Sequence, residues 1–203
     1  GLTPDQVGYV VFAPQTGGVL AARNAGRAFI PASVAKVPTA AAALAVLGPQ
    51  HRFETVLLAD GPVTGGVLAG DLYLKGGGDP LLMTEDLRVL AEALQARGVS
   101  RVAGRFVYDV SLLPPIDQID PVQPDAAQYN PGLSALTLNF NRIALAWEHD
   151  GAPGSLKATA FSESRDGSLP VMGILYGIAP PGLDAAAPLV RAAGDPREHW
   201  LIS

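Results

Sequence analysis

The feature that most restricts the fold is an alanine-rich run that leads through Ala40, Ala41, Ala42 and Ala43 to Leu47 and stops at Gly48-Pro49. Alanine and leucine have the highest helix propensities, and a glycine followed by a proline is a stop signal. Pro38 falls within the first turn or two, where a missing N–H does little damage. The run therefore predicts one helix of about three to four turns, near the start of a chain otherwise cut up by 23 glycines and 18 prolines. A second helix is expected from Thr84, placed to cap it, with Leu87, Leu90, Ala91 and Leu94 at the i, i+3, i+4, i+7 spacing of one apolar face. Gly98 would end it.

Most of the remaining texture is β. Residues 7–13 and 19–23 are rich in Val and Leu around Pro14-Gln15-Thr16-Gly17-Gly18, which reads as a hairpin. Strands are expected at 53–59, 67–75 and 102–108, and a long one at 135–147, where Leu136, Leu138 and Phe140 alternate with Thr137, Asn139 and Asn141. Residues 112–131 hold five prolines and are too rich in breakers for regular structure. Weaker strands and a short alanine-rich segment at 185–193 follow. Glu198-His199-Trp200-Leu201-Ile202-Ser203 reads as a strand just begun, so a fragment truncated at its C-terminus is expected.

Several function classes fall away on composition. The formal charge is −5 and no block of Lys or Arg occurs, which argues against a phosphate-backbone binder and so against nucleic-acid partners. With no cysteine there is no thiol nucleophile, cysteine-based zinc site or disulfide. No apolar run approaches the length of a membrane span. Gly1-Leu2-Thr3-Pro4 lacks the charged and apolar regions of a signal peptide, so an exported protein is expected to be present in mature form.

The alanine-rich run opens with Ser33-Val34-Ala35-Lys36. A serine hydroxyl becomes a good nucleophile only when a base takes its proton, and side chains three positions apart on a helix lie on one face. Desolvation lowers the pKa of a lysine, which then serves as that base while neutral. A serine at a helix start also has a backbone N–H free to form part of an oxyanion hole. Lysine is scarce here (Lys36, Lys75 and Lys157 against eleven arginines), although the bare four-residue pattern also arises by chance.

Around it, Phe29-Ile30-Pro31-Ala32-Ser33-Val34-Ala35-Lys36-Val37-Pro38-Thr39 resembles the active-site helix of bacterial D-alanyl-D-alanine carboxypeptidases/endopeptidases, the large-insert low-molecular-mass penicillin-binding proteins. The resemblance continues in order through Leu47-Gly48-Pro49, Arg52-Phe53-Glu54-Thr55, residues 66–74, Gly76-Gly77-Gly78-Asp79-Pro80, residues 98–104, Asp109, Ser134-Ala135-Leu136 and Asn141. It implies an α+β chain. Residues 1–50 would be the N-terminal part of a penicillin-recognising, β-lactamase-like serine acyl-transferase domain, and 51–203 β-rich inserted domains. It further implies Ser33 as nucleophile and oxyanion-hole N–H, and Lys36 as general base. The implied partners are a peptidoglycan stem peptide and β-lactam antibiotics, the location periplasmic or extracytoplasmic, with no metal or organic cofactor. The family's Ser-x-Asn and Lys-Thr-Gly motifs are not recognisable, so a further segment of the catalytic domain is expected to complete the site. Thr137-Leu138-Asn139 and Lys75-Gly76-Gly77 only imitate them, inside segments that match the insert.

Two other readings stand beside this one: a non-catalytic cell-wall or protein-binding module derived from the family, and a β-lactamase or esterase with the same tetrad, which the long β insert disfavours. Gly76 to Pro80 is read as a turn rather than a phosphate cradle, because it lacks a Gly-Lys-Ser/Thr ending. Asp117, Asp120 and Asp125 lack calcium-loop spacing, His51, His149 and His199 lack ligand spacing, and Ser162-Glu163-Ser164 has no evident partner.

Overall fold

A computed structural model describes residues 1–124, 126–148, 155–172, 174–178, 189–191 and 199–202. The chain is α+β and divides into two compact units, Gly1–Arg52 and Phe53–Ser203. The segment expected to be alanine-rich at 185–193 lies largely outside the described residues, apart from a strand at Leu189–Arg191.

In the first unit, β1 (Tyr9–Phe12) and β2 (Val19–Arg23) pair antiparallel as the expected hairpin. Gly17, at φ +68°, closes its turn by donating to Ala13 O at 2.8 Å. After β2 the chain reverses at Asn24, whose Nδ2 donates to Val7 O (2.7 Å) and Pro4 O (3.1 Å). The chain then enters a 3₁₀ turn, Ala32–Ala35, which runs into α1 (Lys36–Leu47). Gly48, at φ +82°, terminates α1 with its N–H on Leu44 O. No residue of 1–52 is buried.

The second unit begins with two small sheets. Strands β3 (Val56–Ala59), β6 (Leu72–Lys75) and β8 (Phe106–Asp109) form one, in that order, with β3/β6 antiparallel and β6/β8 parallel. Strands β4 (Val63–Thr64), β5 (Val67–Leu68) and β7 (Arg101–Val102) form the other. The continuous strands expected at 67–75 and 102–108 are therefore each broken in two, at Ala69-Gly70-Asp71 and at Ala103-Gly104-Arg105. The cause is a close stack of backbone at these corners. A Cβ on Gly70 would meet the Gly61 backbone, and one on Gly104 would meet the Gly70 carbonyl. Carboxylates tie the stack together: Asp60 Oδ1 accepts from Asp71 N at 2.6 Å, and Asp71 Oδ1 accepts from Arg105 N at 2.7 Å. The Arg105 guanidinium also donates to Asp71 Oδ2, and its hydrogen bonds hold the Asp71 carboxyl below the usual carboxylate range.

Between β6 and β7 lies α2 (Thr84–Ala96), which brings Leu94 against the core of Leu68, Leu72 and Val99. Thr84 is not its cap but its first residue. Met83 occupies the cap position, with its N–H held by Asp86 Oδ2 at 2.8 Å. Gly98, at φ +85°, ends the helix as expected.

The long strand expected at 135–147 does not form. Residues Asn139–Asn141 make a 3₁₀ turn with φ of +49°, +59° and +50°, and only β9 (Ala144–Glu148) is extended. Alternation of apolar and polar residues was the wrong guide there. Asn tolerates the left-handed region better than most residues, and two of the three residues are Asn. Strands β9, β10 (Lys157–Ser164) and β11 (Gly167–Pro170) make an antiparallel meander. The last sheet has the order β12 (Leu175–Ile178), β14 (His199–Ile202), β13 (Leu189–Arg191). Among the described residues no helix is long and apolar enough to cross a membrane.

Candidate active site

Ser33 stands second in the 3₁₀ turn and Lys36 is the first residue of α1. Side chains at i and i+3 eclipse one another along a 3₁₀ turn, which is why the pair meets here. Lys36 Nζ donates to Ser33 Oγ at 2.9 Å. Ser33 does not open the α-helix, as the sequence led us to expect. It still lies in the first turn, where backbone N–H groups lack intrahelical acceptors. Pro38 is the third residue of α1, where it has no N–H to offer Val34 O and so lets the tight turn pass into the wider helix. Thr39 Oγ1 donates back to Ala35 O at 2.9 Å, bracing the backbone beside the pair. Both Ser33 and Lys36 are exposed, so residues 1–52 alone do not strip water from them.

The imitations of the missing motifs have structural work. Thr137 Oγ1 accepts from Ser134 N and donates to Ser134 O, both at 3.1 Å. Asn139 is buried. Its Oδ1 accepts from Thr84 N at 3.0 Å, and its Nδ2 donates to Thr84 Oγ1 at 2.8 Å and Ser162 Oγ at 3.1 Å. Lys75 Nζ lies 3.8 Å from Asp109. In the Gly76 to Pro80 loop the amides serve the protein itself. Gly76 N donates to Asp109 O and Gly78 N to Ala135 O, while a Cβ on Gly77 would meet the Glu54 backbone.

Among the described residues no group of three or more His, Cys, Asp or Glu could hold a metal. Asp120 Oδ1 accepts from Val122 N at 3.0 Å, and Asp125 and His149 lie outside the described residues. Ser162 and Ser164 do have partners. Ser162 Oγ donates to Arg142 O at 3.2 Å, and Ser164 sits beside a carboxylate clamp that the sequence did not announce. In that clamp Arg165 grips both oxygens of Asp86 (2.8 and 2.9 Å), Arg88 reaches Asp166 at 3.1 Å, and Glu85 Oε1 accepts from Asp166 N. The Ser164 hydroxyl, helped by nearby backbone N–H groups, lowers the Glu85 carboxyl to about 2, and Arg165 lowers Asp86. These partners lie 78 to 81 residues apart, which no spacing rule detects.

A helix-borne Ser-Lys pair ahead of a β-rich unit is the class of arrangement these elements define. The family model of the D-Ala-D-Ala carboxypeptidase 3 (S13) family matches residues 1–169, and the chain belongs to that family. It is 38% identical over 133 residues to a D-alanyl-D-alanine carboxypeptidase of Actinomadura sp. (strain R39), covering 64% of this chain and 25% of that one. It is 33% identical over 108 residues to D-alanyl-D-alanine carboxypeptidase DacB of Haemophilus influenzae, covering 53% and 22%. The crystal structure of penicillin-binding protein 4 (dacB) from Haemophilus influenzae superposes with a TM-score of 0.72 at 25% identity, over 95% of this chain and 42% of that one. The same protein in complex with a β-lactam gives a TM-score of 0.64 at 24% identity, over 95% of this chain and 40% of that one. The matched region thus spans about a quarter of the curated relatives' length.

Proposed function

We propose that the chain supplies the nucleophile-bearing part of a serine D,D-carboxypeptidase/endopeptidase that acts on D-Ala-D-Ala-ended peptidoglycan stem peptides, and that it binds β-lactams. The observation that carries this is the Lys36 Nζ to Ser33 Oγ hydrogen bond of 2.9 Å, in a chain of the D-Ala-D-Ala carboxypeptidase 3 family. Residues 1–50 are read as the first part of the acyl-transfer domain and 51–203 as inserted accessory structure. The location is read as periplasmic or extracytoplasmic.

Lys36, once neutral, takes the Ser33 Oγ proton as Oγ attacks the carbonyl carbon of the penultimate D-Ala. The Ser33 N–H would hold the resulting oxyanion. The tetrahedral intermediate collapses, the terminal D-Ala leaves as its amine with the proton returned from Lys36, and an ester remains on Ser33. Water, deprotonated by the same lysine, then hydrolyses that ester. Substrate would be held by a Ser-x-Asn and a Lys-Thr-Gly segment, neither of which is recognisable in these 203 residues.

The experiment is labelling with a fluorescent penicillin followed by mass spectrometry of the peptide that contains Ser33. The chain joined to a segment bearing the two absent motifs is expected to acquire one label on Ser33, and Ser33→Ala none. Label that survives in Ser33→Ala would sink the proposal. A second reading, a binding module without turnover, is favoured by the exposure of the pair. It predicts no label on either form.

A further inference from the structure

We infer that the second unit carries a glycan-binding cavity, a site for one N-acetylated sugar residue of the polymer that bears the stem peptides. This inference rests on the proposed substrate, peptidoglycan. The cavity, of about 260 Å³, lies between the irregular segment after β8, the strands β9 and β14, and Ile174 just ahead of β12. That is less than the room a drug-sized ligand takes and suits a single pyranose ring.

Its walls carry Asp117, Gln118, Asn141 and Arg142 on the polar side, with Ile174 and Trp200 among the apolar lining. Planar carboxamide, carboxylate and guanidinium groups pair with the vicinal hydroxyls and acetamido group of a sugar, while an indole covers its C–H face. A multiply charged anion would need more cations than the single arginine on this wall.

Backbone geometry supports a ligand site. Asn139, Phe140 and Asn141 are three consecutive non-glycine residues with positive φ, and such strain gathers at ligand sites when the surroundings over-determine it. Here the surroundings do so. Asn139 is pinned by its buried hydrogen bonds, and Asn141 Nδ2 donates to Gly132 O at 2.9 Å, leaving Oδ1 as an acceptor. The Arg142 guanidinium lies 5.5 Å from the centroid of the Phe140 ring and has no carboxylate partner among the described residues. The strained turn thus brings the Asn141 amide and the Arg142 cation to one cavity wall, with the amide held by its bond to Gly132 O.

The test is NMR titration of the whole chain with the β-1,4-linked tetramer of N-acetylglucosamine and, separately, with a glycan-free stem peptide. The tetramer is expected to shift the Trp200 indole N–H and the Asn141 and Arg142 amides, with a dissociation constant of about 0.1–1 mM. Asp117→Ala and Arg142→Ala, both at exposed side chains, are expected to weaken binding at least tenfold (~1.4 kcal/mol) with the remaining spectrum unchanged. Absence of saturable shifts, shifts located elsewhere, or occupation of this cavity by the peptide instead of the sugar would each overturn the inference. Ser33→Ala is expected to bind the tetramer as the parent does, so loss of penicillin labelling and loss of sugar binding report on separate claims.

Discussion

Asn139 joins elements 55 residues apart, and its substitution offers a quantitative test of how the second unit is held together. In Asn139→Ala three hydrogen bonds disappear: Thr84 N to Oδ1, and Nδ2 to Thr84 Oγ1 and to Ser162 Oγ. Each is worth about 1 kcal/mol net, and the stranded Thr84 N–H at the start of α2 raises the loss toward the upper end of the range for an unsatisfied donor. Alanine at φ +49° adds about 1 kcal/mol of backbone strain that asparagine tolerates better. The expected destabilisation is about 3–5 kcal/mol. Asn139→Gly loses the same bonds without the strain, so it is expected to be less damaging than the alanine variant by about 1 kcal/mol. Urea unfolding followed by tryptophan fluorescence reads the second unit directly, because Trp147 lies in β9 and Trp200 in β14. An alanine variant within about 1 kcal/mol of the parent, or one no worse than the glycine variant, would refute the reasoning.

Other expectations follow from the same structure. Lys36→Arg keeps the positive charge but cannot become neutral, so acylation by penicillin in the completed enzyme is expected to slow by about 10²- to 10⁴-fold, measured as the labelling rate. Glu85 and Asp86 have lowered pKa values when folded, so their stabilisation is fully present above the ordinary carboxylate range and is lost as pH falls through the folded values, about 2 for Glu85. In Glu85→Gln/Asp86→Asn the fall in urea midpoint between about pH 4 and pH 2 should flatten. Gly104→Ala forces a Cβ into the Gly70 backbone and should cost about 1–3 kcal/mol, whereas Gly26→Ala, which meets open space, should stay within about 0.5 kcal/mol of the parent in urea unfolding.

What could be read from the sequence was what local chemistry decides. The hairpin, both helices and the stop signals at Gly48 and Gly98 follow from propensity and from φ values that only glycine adopts easily. The Ser33–Lys36 contact follows from a three-residue spacing on a helical turn. Where reading failed, a distant partner decided. Residues 67–75 and 102–108 have the composition of unbroken strands, yet they bend because Gly70 and Gly104 must stack on other backbone. Residues 135–147 alternate like a strand, yet Asn139 turns inward to satisfy the N-terminus of a helix far back in the chain. Thr84 looked like the cap of that helix because nothing local reveals that Asn139, 55 residues on, already accepts from its N–H. Ser162 looked idle for the same reason, as its partners Asn139 and Arg142 become visible only once β10 packs beside the Asn139 turn.

The exposure of the Ser-Lys pair and the character of α1 have a common origin. A helix that is apolar on every side belongs in the interior of a domain, and α1 presents Val37, Leu44, Val46 and Leu47 without burying any of them. The hairpin beside it in sequence likewise leaves Val10, Phe12, Val19 and Leu20 open. A unit of this size with no buried residue lacks the core that would hold it folded on its own. The same deficit bears on chemistry, because nothing in residues 1–52 shields the Lys36–Ser33 hydrogen bond from water. Covering α1 with apolar surface would supply the missing burial and, in the same event, dehydrate Lys36 and bring its proton affinity toward what a general base requires. In the proposed enzyme, completion of the domain core and activation of Ser33 are therefore one transition. Protection of the α1 amides from hydrogen exchange and reactivity toward penicillin should rise together as the completing segment is titrated in, and penicillin reactivity gained without protection of α1 would separate the two.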